Sequence, residues 1–389
     1  MTMPQKKNVL TIDSLAELAL VHQPPCLSLY QPTHRCSPEN QQDPIRFGNL
    51  VKELEASLRQ TYPAAQTRLL LEPFEDLAGD PDFWNHTLDG LAVLGGPSLF
   101  RVFQLQRPVA ELAVVADSFH TKPLRRFLQS IDRYQVLGLS FRKVQLFEGN
   151  RDTLDEIDPA PEVPLTMIEA LGAELTEPHQ TVASYGGVGG GSRPMHHSQG
   201  GKKDEADIDA ERFFRAVDRA VLEHSSRPSG LPLILAALPE HHHLFHRVSQ
   251  NPLLMGEGLM INPDSLTVDE LRQRAWQVVE PQYQSRLAAL ADEFMAAKSN
   301  GLGSDDLEQV AQAAAAGRVS TLLIEADRRI AGRLDGVTGR IEIADLSHPQ
   351  VDDLLDDLGE LVSEMGGRVM VIPAGQMPGQ TGLAATYRH

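Results

Sequence analysis

Only two cysteines, Cys26 and Cys36, occur in 389 residues, and they form no CxxC pair. There is no disulfide framework to read, which fits a reducing cytoplasm. Long apolar runs are missing too. None approaches the roughly 20 residues needed to cross a bilayer, and the opening stretch "MTMPQKKNVLTIDSLAELAL" is broken by Asp13 and Glu17 with no clean cleavage site after it. A soluble chain with neither signal peptide nor membrane partner is expected. Positive charge is scarce as well: 35 Lys and Arg stand against 53 Asp and Glu, a net charge of −18. Such a chain repels phosphate backbone as a whole, so any nucleic-acid contact has to be local and basic.

What is present is an ordinary globular balance, 41% apolar and 23% charged, over a length that suits two or three compact units. Up to residue 131, "TIDSLAELAL" and "PIRFGNLVKELEASLRQ" carry helical spacing, while "CLSLYQP", "LDGLAVLGG", "LFRVFQL" and "AELAVVAD" read as strands. From 132 to 277, "YQVLGLSFRKVQLFEGN" alternates as a strand pair with a turn at Gly149-Asn150. "LPLILAAL" reads as a strand buried on both faces, and "PEHHHLFHRVSQNP" as a helix. From 278 to 389, "SDDLEQVAQAAAAG" is a helix with Ser304 as its expected N-cap and Gly317 as its stop. The strands "RVSTLLIEA" and "RVMVIPAG" flank a further helix in a βαβ rhythm. The fold class expected is α/β in three domains: 1–131, 132–277 and 278–389.

One local stretch departs from the acidic average. Seven glycines fall between Gly186 and Gly201, and no carboxylate occurs between Glu177 and Asp204. Glycine at that density predicts an exposed, mobile loop over 186–203, and it carries Arg193, His196, His197, Lys202 and Lys203. A helix expected from about Asp204 to His224 follows, with Arg212, Arg215 and Arg219 on one face. Two readings stand level on local physics. In one, loop and arginines enter a phosphate-lined cavity. In the other, the loop is a linker and the arginines pair with Asp209, Glu211 or Asp218. Gly187, Gly189 and Ser192 come near G-x-G-x-x-G, but Pro194 and a polar run separate them from any helix.

Other constellations are weaker. His242 and His246 stand at i, i+4 and could share a metal, but His243 occupies the place where a zinc hydrolase needs its glutamate. Asp352, Asp353, Asp356 and Asp357 read as a solvated helix face, with divalent-cation binding as the alternative. No G-x-S-x-G elbow surrounds Ser198. No cofactor is expected.

The run from "VLGLSFRKVQLFEGN" through the glycine stretch, "ERFFRAVDRAVLE" and "LPLILAAL" resembles the central domain of archaeo-eukaryotic class I release factors and Pelota, in their bacterial branch. "ADSFHTKPLRRFL" is similar to the family's passage into that domain, and "DDLEQVAQAAAAGRVSTLLIEA" to the opening of its C-terminal domain. The resemblance implies an N-terminal α+β domain, a ribonuclease-H-like central domain, and a C-terminal α/β/α sandwich like kink-turn-binding ribosomal proteins. It also implies a glycine loop that enters the peptidyl-transferase centre, where Gly-Gly-Gln orients water against the peptidyl-tRNA ester. Here Gly200 and Gly201 are followed by Lys202, and Gln199 precedes them. "DPIRFGNLV" stands where the family reads stop codons with Asn-Ile-Lys-Ser. The expectation is therefore a ribosome-associated factor of the rescue or hibernation kind that does not read stop codons. Arg193, His197, Gly200, Gly201, Lys202, Lys203, Arg212, Arg215 and Arg219 would contact RNA. Expected partners are the ribosome and its RNA, with tRNA or a translational GTPase beside it. The alternatives are peptidyl-tRNA hydrolysis through Gln199, as the one catalytic candidate, and a protein-interaction scaffold that binds no RNA.

Overall fold

The structure is a computed structural model. It describes residues 10–19, 23–128, 132–172, 200–346, 348 and 350–388, with the backbone course alone at 12 and 200–207. The chain forms two compact units: Met1–Ile131 together with Tyr283–His389, and Asp132–Gln282.

The first unit opens with α1 (Ile12–Ala19), β1 (Cys26–Pro32), α2 (Asp43–Leu58), α3 (Ala64–Ala78) and the short α4 (Pro81–Trp84). It continues through β2 (Gly90–Gly96), β3 (Leu99–Leu105), β4 (Leu112–Ala116) and α5 (Lys122–Leu128). The four strands make an antiparallel sheet in the order β3-β2-β1-β4. Strand alternation sends Leu27, Leu29, Leu91 and Val93 to one face, against Phe47 and Leu54 of α2 and Phe74 of α3. Tyr30, Ala92 and Leu94 go to the other, with Phe119 and Leu124. Both faces are dry, which explains the unbroken apolar runs. Gly95 lies under the Phe74 ring: a Cβ there would come 2.4 Å from Cε2.

The central unit contains β5 (Tyr134–Leu139), β6 (Val144–Gly149), β7 (Leu154–Ile157), α6 (Met167–Leu171), α7 (Gly200–Val221) and α8 (Arg227–Ser229). After them come β8 (Leu233–Ala237), α9 (Pro239–Val248) and the first half of α10 (Val268–Ser299). The sheet order is β7-β6-β5-β8, with β5, β6 and β7 antiparallel and β8 parallel to β5. A three-strand meander whose first strand takes a parallel neighbour after a helical crossover suits the ribonuclease-H-like expectation. Phe213, Phe214 and Val217 of α7 and Phe245 of α9 pack on Leu137, Leu146 and Leu235. Helix α7 begins at Gly200, so Gly200 to Lys203 form its first turn and the helix starts one turn earlier than its apolar pattern predicts.

The first unit resumes in α10 at Tyr283, just beyond Pro281, which sits inside that continuous helix. It adds β9 (Gly303–Ser304), α11 (Leu307–Ala315), β10 (Val319–Glu325), β11 (Ala331–Leu334) and β12 (Ile341–Ile343). It closes with β13 (Asp352–Asp353), α12 (Leu354–Glu364), β14 (Arg368–Ile372) and β15 (Leu383–Tyr387). The expected βαβ unit is there: β10 and β14 pair in parallel around α12, inside the mixed order β14-β10-β15-β9. The strands β12-β11-β13 form a small separate sheet. Two local expectations are corrected. The N-cap of α11 is Asp306, whose carboxylate accepts from Gln309 N at 2.9 Å, while Ser304 lies in β9 and its hydroxyl accepts from Asp306 N. The acidic start of α12 is not solvated: Asp352, Asp353 and Asp356 are buried. Among the described residues, no helix is long and apolar enough to cross a membrane.

Candidate functional site

On the central unit, α7 buries Phe213, Phe214 and Val217 and so turns Arg212, Arg215 and Arg219 to solvent. Arg215 pairs with Glu211 one turn back at 2.8 Å yet stays 63% exposed; Arg212 lies 3.9 Å from Asp209 and is 52% exposed. Arg219 lines a surface cavity of 660 Å³ together with Glu223 and His224. Arg247 of α9 approaches the second Glu211 oxygen at 3.9 Å, an exposed cation that sequence reasoning passed over. An exposed pair such as Arg215–Glu211 holds its partners by about 0–1 kcal/mol, so that guanidinium can exchange to another anion; Asp209, the neighbour of Arg212, is buried. Arg193, His197 and Gln199, with the stretch 186–199, lie outside the described residues. Gly200, Gly201, Lys202 and Lys203 are described only as the first turn of α7.

Of the α9 histidines, His241 and His242 turn inward, His246 is half-buried and His243 is exposed. His242 is buried, with Nε2 3.0 Å from the Leu235 carbonyl, which fixes that nitrogen as the donor. Gly258 makes room for the ring, since a Cβ there would stand 2.6 Å from Cε1. His246 lies one turn on, its ring centroid 5.1 Å from that of His242. Burial, and then the neighbouring His242, hold His246 below the usual imidazole range; burial does the same to His241 against the pull of Glu240. No third ligand joins this pair among the described residues.

Sequence reasoning missed a buried charged cluster in the other unit. His120 and Thr121 lead into α5, and Asp352, Asp353, Asp356 and Glu360 run along the start of α12. His120 Nδ1 lies 3.0 Å from Asp352 Oδ1 and 3.6 Å from Asp356 Oδ2. Thr121 N donates to Asp356 at 2.8 Å, and its hydroxyl stands 3.4 Å from both Asp356 and Glu360. Lys122 donates to Asp353 and, at 2.5 Å, to the Arg328 carbonyl. Arg125 donates to Ser363 Oγ at 2.8 Å. Asp353 caps α12, accepting from Leu355 N at 3.1 Å. Burial alone would lower the His120 pKa, but the Asp356 and Asp352 charges outweigh it and hold the imidazole above its ordinary value. Burial pushes the Asp356 and Glu360 carboxyls up, Glu360 far above its range with Asp356 and Asp352 adding to the effect. His120, Asp352 and Asp356 bring one ligand atom each within 4.8 Å of the others, the one such group among the described residues. Nothing in local periodicity marks this cluster, because its halves stand more than 230 residues apart.

Residues 133–318 match the family model of bacterial archaeo-eukaryotic release factor family 3. The matched stretch includes the glycine run, α7 and α9. Among solved structures, the chain is similar to the archaeal translation termination factor aRF1, at 17% identity over 97% of this chain and 96% of that one, with a TM-score of 0.25. It is similar to S. cerevisiae Dom34, a translation termination-like factor that interacts with Hbs1, at 11% identity over 76% and 74% of the two chains, TM-score 0.41. It is also similar to ribosome-bound archaeal Pelota with ABCE1, at 12% identity over 100% and 99%, TM-score 0.38. No curated protein matches the chain.

Proposed function

We propose, for a chain that belongs through residues 133–318 to the bacterial archaeo-eukaryotic release factors, a role as a ribosome-associated translation factor of the rescue or hibernation kind. In this reading the basic glycine stretch 186–203 goes toward the peptidyl-transferase centre and no stop codon is read. The family match over that stretch carries the proposal. Charge supports it: on a chain of net −18, the stretch 178–203, which has no carboxylate, is the part of the sequence that ribosomal RNA would attract. Arg212 and Arg215, exposed and only lightly paired, extend it along α7.

Hydrolysis is not part of the proposal. A glutamine amide both donates and accepts, so it can orient a water, whereas Lys202 offers three donors and no acceptor. The proposed partners are the ribosome through its RNA, an occupied or vacant tRNA site, and a translational GTPase.

Sedimentation of the chain with ribosomes tests this. The full chain should co-sediment and the variant lacking 186–203 should not; equal association of both would retire the glycine stretch as the contact. Release of peptide from peptidyl-tRNA, abolished by Gln199→Ala, would show instead that the chain is a hydrolase.

A further inference from the structure

The buried cluster in the unit formed by the chain's two ends has its own chemistry, independent of ribosome binding. We infer that His120, Asp352 and Asp356 bind one divalent first-row transition ion, Zn²⁺ being the ion that suits the donors best.

Geometry comes first. A tetrahedral zinc with bonds of about 2.0–2.2 Å sets its ligand atoms about 3.4 Å apart. The imidazole Nδ1 already stands 3.0 and 3.6 Å from one oxygen of each aspartate, so small rotations admit the ion. All three ligands are at most 4% exposed.

A second observation points to a ligand. Asp352 Oδ2 is buried and has no hydrogen-bond partner, while its other oxygen accepts from Asp353 N at 2.7 Å. A buried carboxylate oxygen with nothing to accept is costly. A cation shared with His120 and Asp356 satisfies it if Asp352 binds through both oxygens, or through Oδ2 after a small rotation of its carboxylate.

Charge accounting agrees. Lys122 answers Asp353. That leaves the carboxyl groups of Asp352, Asp356, Asp357 and Glu360 around His120 and Arg125, with burial and then mutual repulsion pushing Asp357 and Glu360 far up and burial raising Asp356. A divalent ion on neutral imidazole balances Asp352 and Asp356 in their ionised forms. The imidazole nitrogen favours zinc over calcium or magnesium, which prefer all-oxygen shells. Surrounding groups already hold the ligands in place. Thr121 N donates to Asp356, and Tyr30 Oη donates to the His120 carbonyl, the kind of outer support that metal sites use. A surface cavity of 380 Å³ lined by Asp117, Asp352, Asp357, Glu360 and Glu364 offers a cation a route in. The bound ion would cross-link the lead-in to α5 with the start of α12 within one compact unit, and zinc does so without redox chemistry.

The full chain, stripped with chelator and dialysed, is titrated with Zn²⁺ beside Asp352→Asn and His120→Gln, and bound zinc is counted per chain. The sequence holds 14 histidines, so the difference between proteins is the readout. Each variant should hold one ion fewer than the parent and lose the rise in melting temperature that zinc gives it. Equal counts, or a parent that binds no zinc at micromolar concentration, would overturn the inference. Should either variant fail to fold, anomalous scattering at the zinc edge from crystals of the parent decides. A peak within about 2.0–2.2 Å of the three ligand atoms supports the site, and no peak there refutes it.

Discussion

Cys26 and Cys36 differ in everything that controls a thiol. Cys26 is 1% exposed at the start of β1, with Sγ 3.7 Å from the Gln23 carbonyl and 3.6 Å from that of Asp117. Burial, and next the Glu360 charge, push its thiol up to about 12. Cys36 is exposed. Since the thiolate is the nucleophile, Cys26 is far less reactive at pH 8 than an ordinary thiol. Iodoacetamide at pH 8 should add one group per folded chain, at Cys36, and two in guanidinium, as mass spectrometry of tryptic peptides will show; modification of Cys26 at a comparable rate in the folded chain would contradict the burial. The two cysteines were legible as lacking a CxxC partner, but which of them is buried was not. The same holds for Asp352 and Asp356. Charge alone assigns such residues to solvent, and the partners that bury them, His120 and Thr121, come from a stretch with no local relation to them.

Among the elements, those with strong period were legible: β1, β2, β8, α2, α9 and the βαβ of β10, α12 and β14 all stand where their patterns put them. Helix α3 was not, because Pro63 and Pro73 flank and interrupt "AAQTRLLLEPFEDLA", and Pro73 reads as a break although it is accommodated inside the helix. The short strands β9 and β13 exist through pairing with distant partners, a property that no window of a few residues contains, while β11 and β12 pair locally but run for only four and three residues. At the start of α11 two cap-forming residues, Ser304 and Asp306, compete two positions apart; pairing of Ser304 with β15 decides for Asp306. Helix α9 shows a further effect of packing. Burial lowers the pKa of His241 and His246, so in the folded chain they take up protons at lower pH than in the unfolded chain, whose imidazoles charge around 6.5. For this pair the unfolded state then binds more protons, so the pair's contribution to the central unit rises with pH through that window and is lost as pH falls, opposite in sign to the raised His120 of the other unit. Urea midpoints followed by the fluorescence of Trp276, in a Trp84→Phe background, should fall between pH 7.5 and 5.5. His246→Leu should flatten that fall, whereas an unchanged slope in the variant would remove His246 from the account.

On the proposed function, the whole molecule is an anion that has to approach a larger one. A net charge of −18 opposes any encounter with ribosomal RNA at long range, and salt screens that repulsion within a Debye length of about 8 Å at physiological ionic strength. Direct contact obeys a different law, because each phosphate neutralised by a cation releases a counterion and steepens the fall of affinity with salt. In that reading Arg215 reaches RNA by giving up Glu211, an exposed pair worth about 0–1 kcal/mol, and Arg212 by leaving the buried Asp209. The two effects therefore separate experimentally. If α7 meets RNA, changing Arg212, Arg215 and Arg219 to Gln should reduce the slope of log affinity against log salt by about one for each arginine removed. If these arginines only set the general field of the molecule, the triple variant, more acidic by three charges, should bind more weakly at low salt and converge with the parent as salt rises, its slope no shallower than the parent's. Ribosome binding measured from 50 to 300 mM potassium chloride distinguishes the outcomes, and a slope unaffected by the three substitutions would take α7 out of the interface.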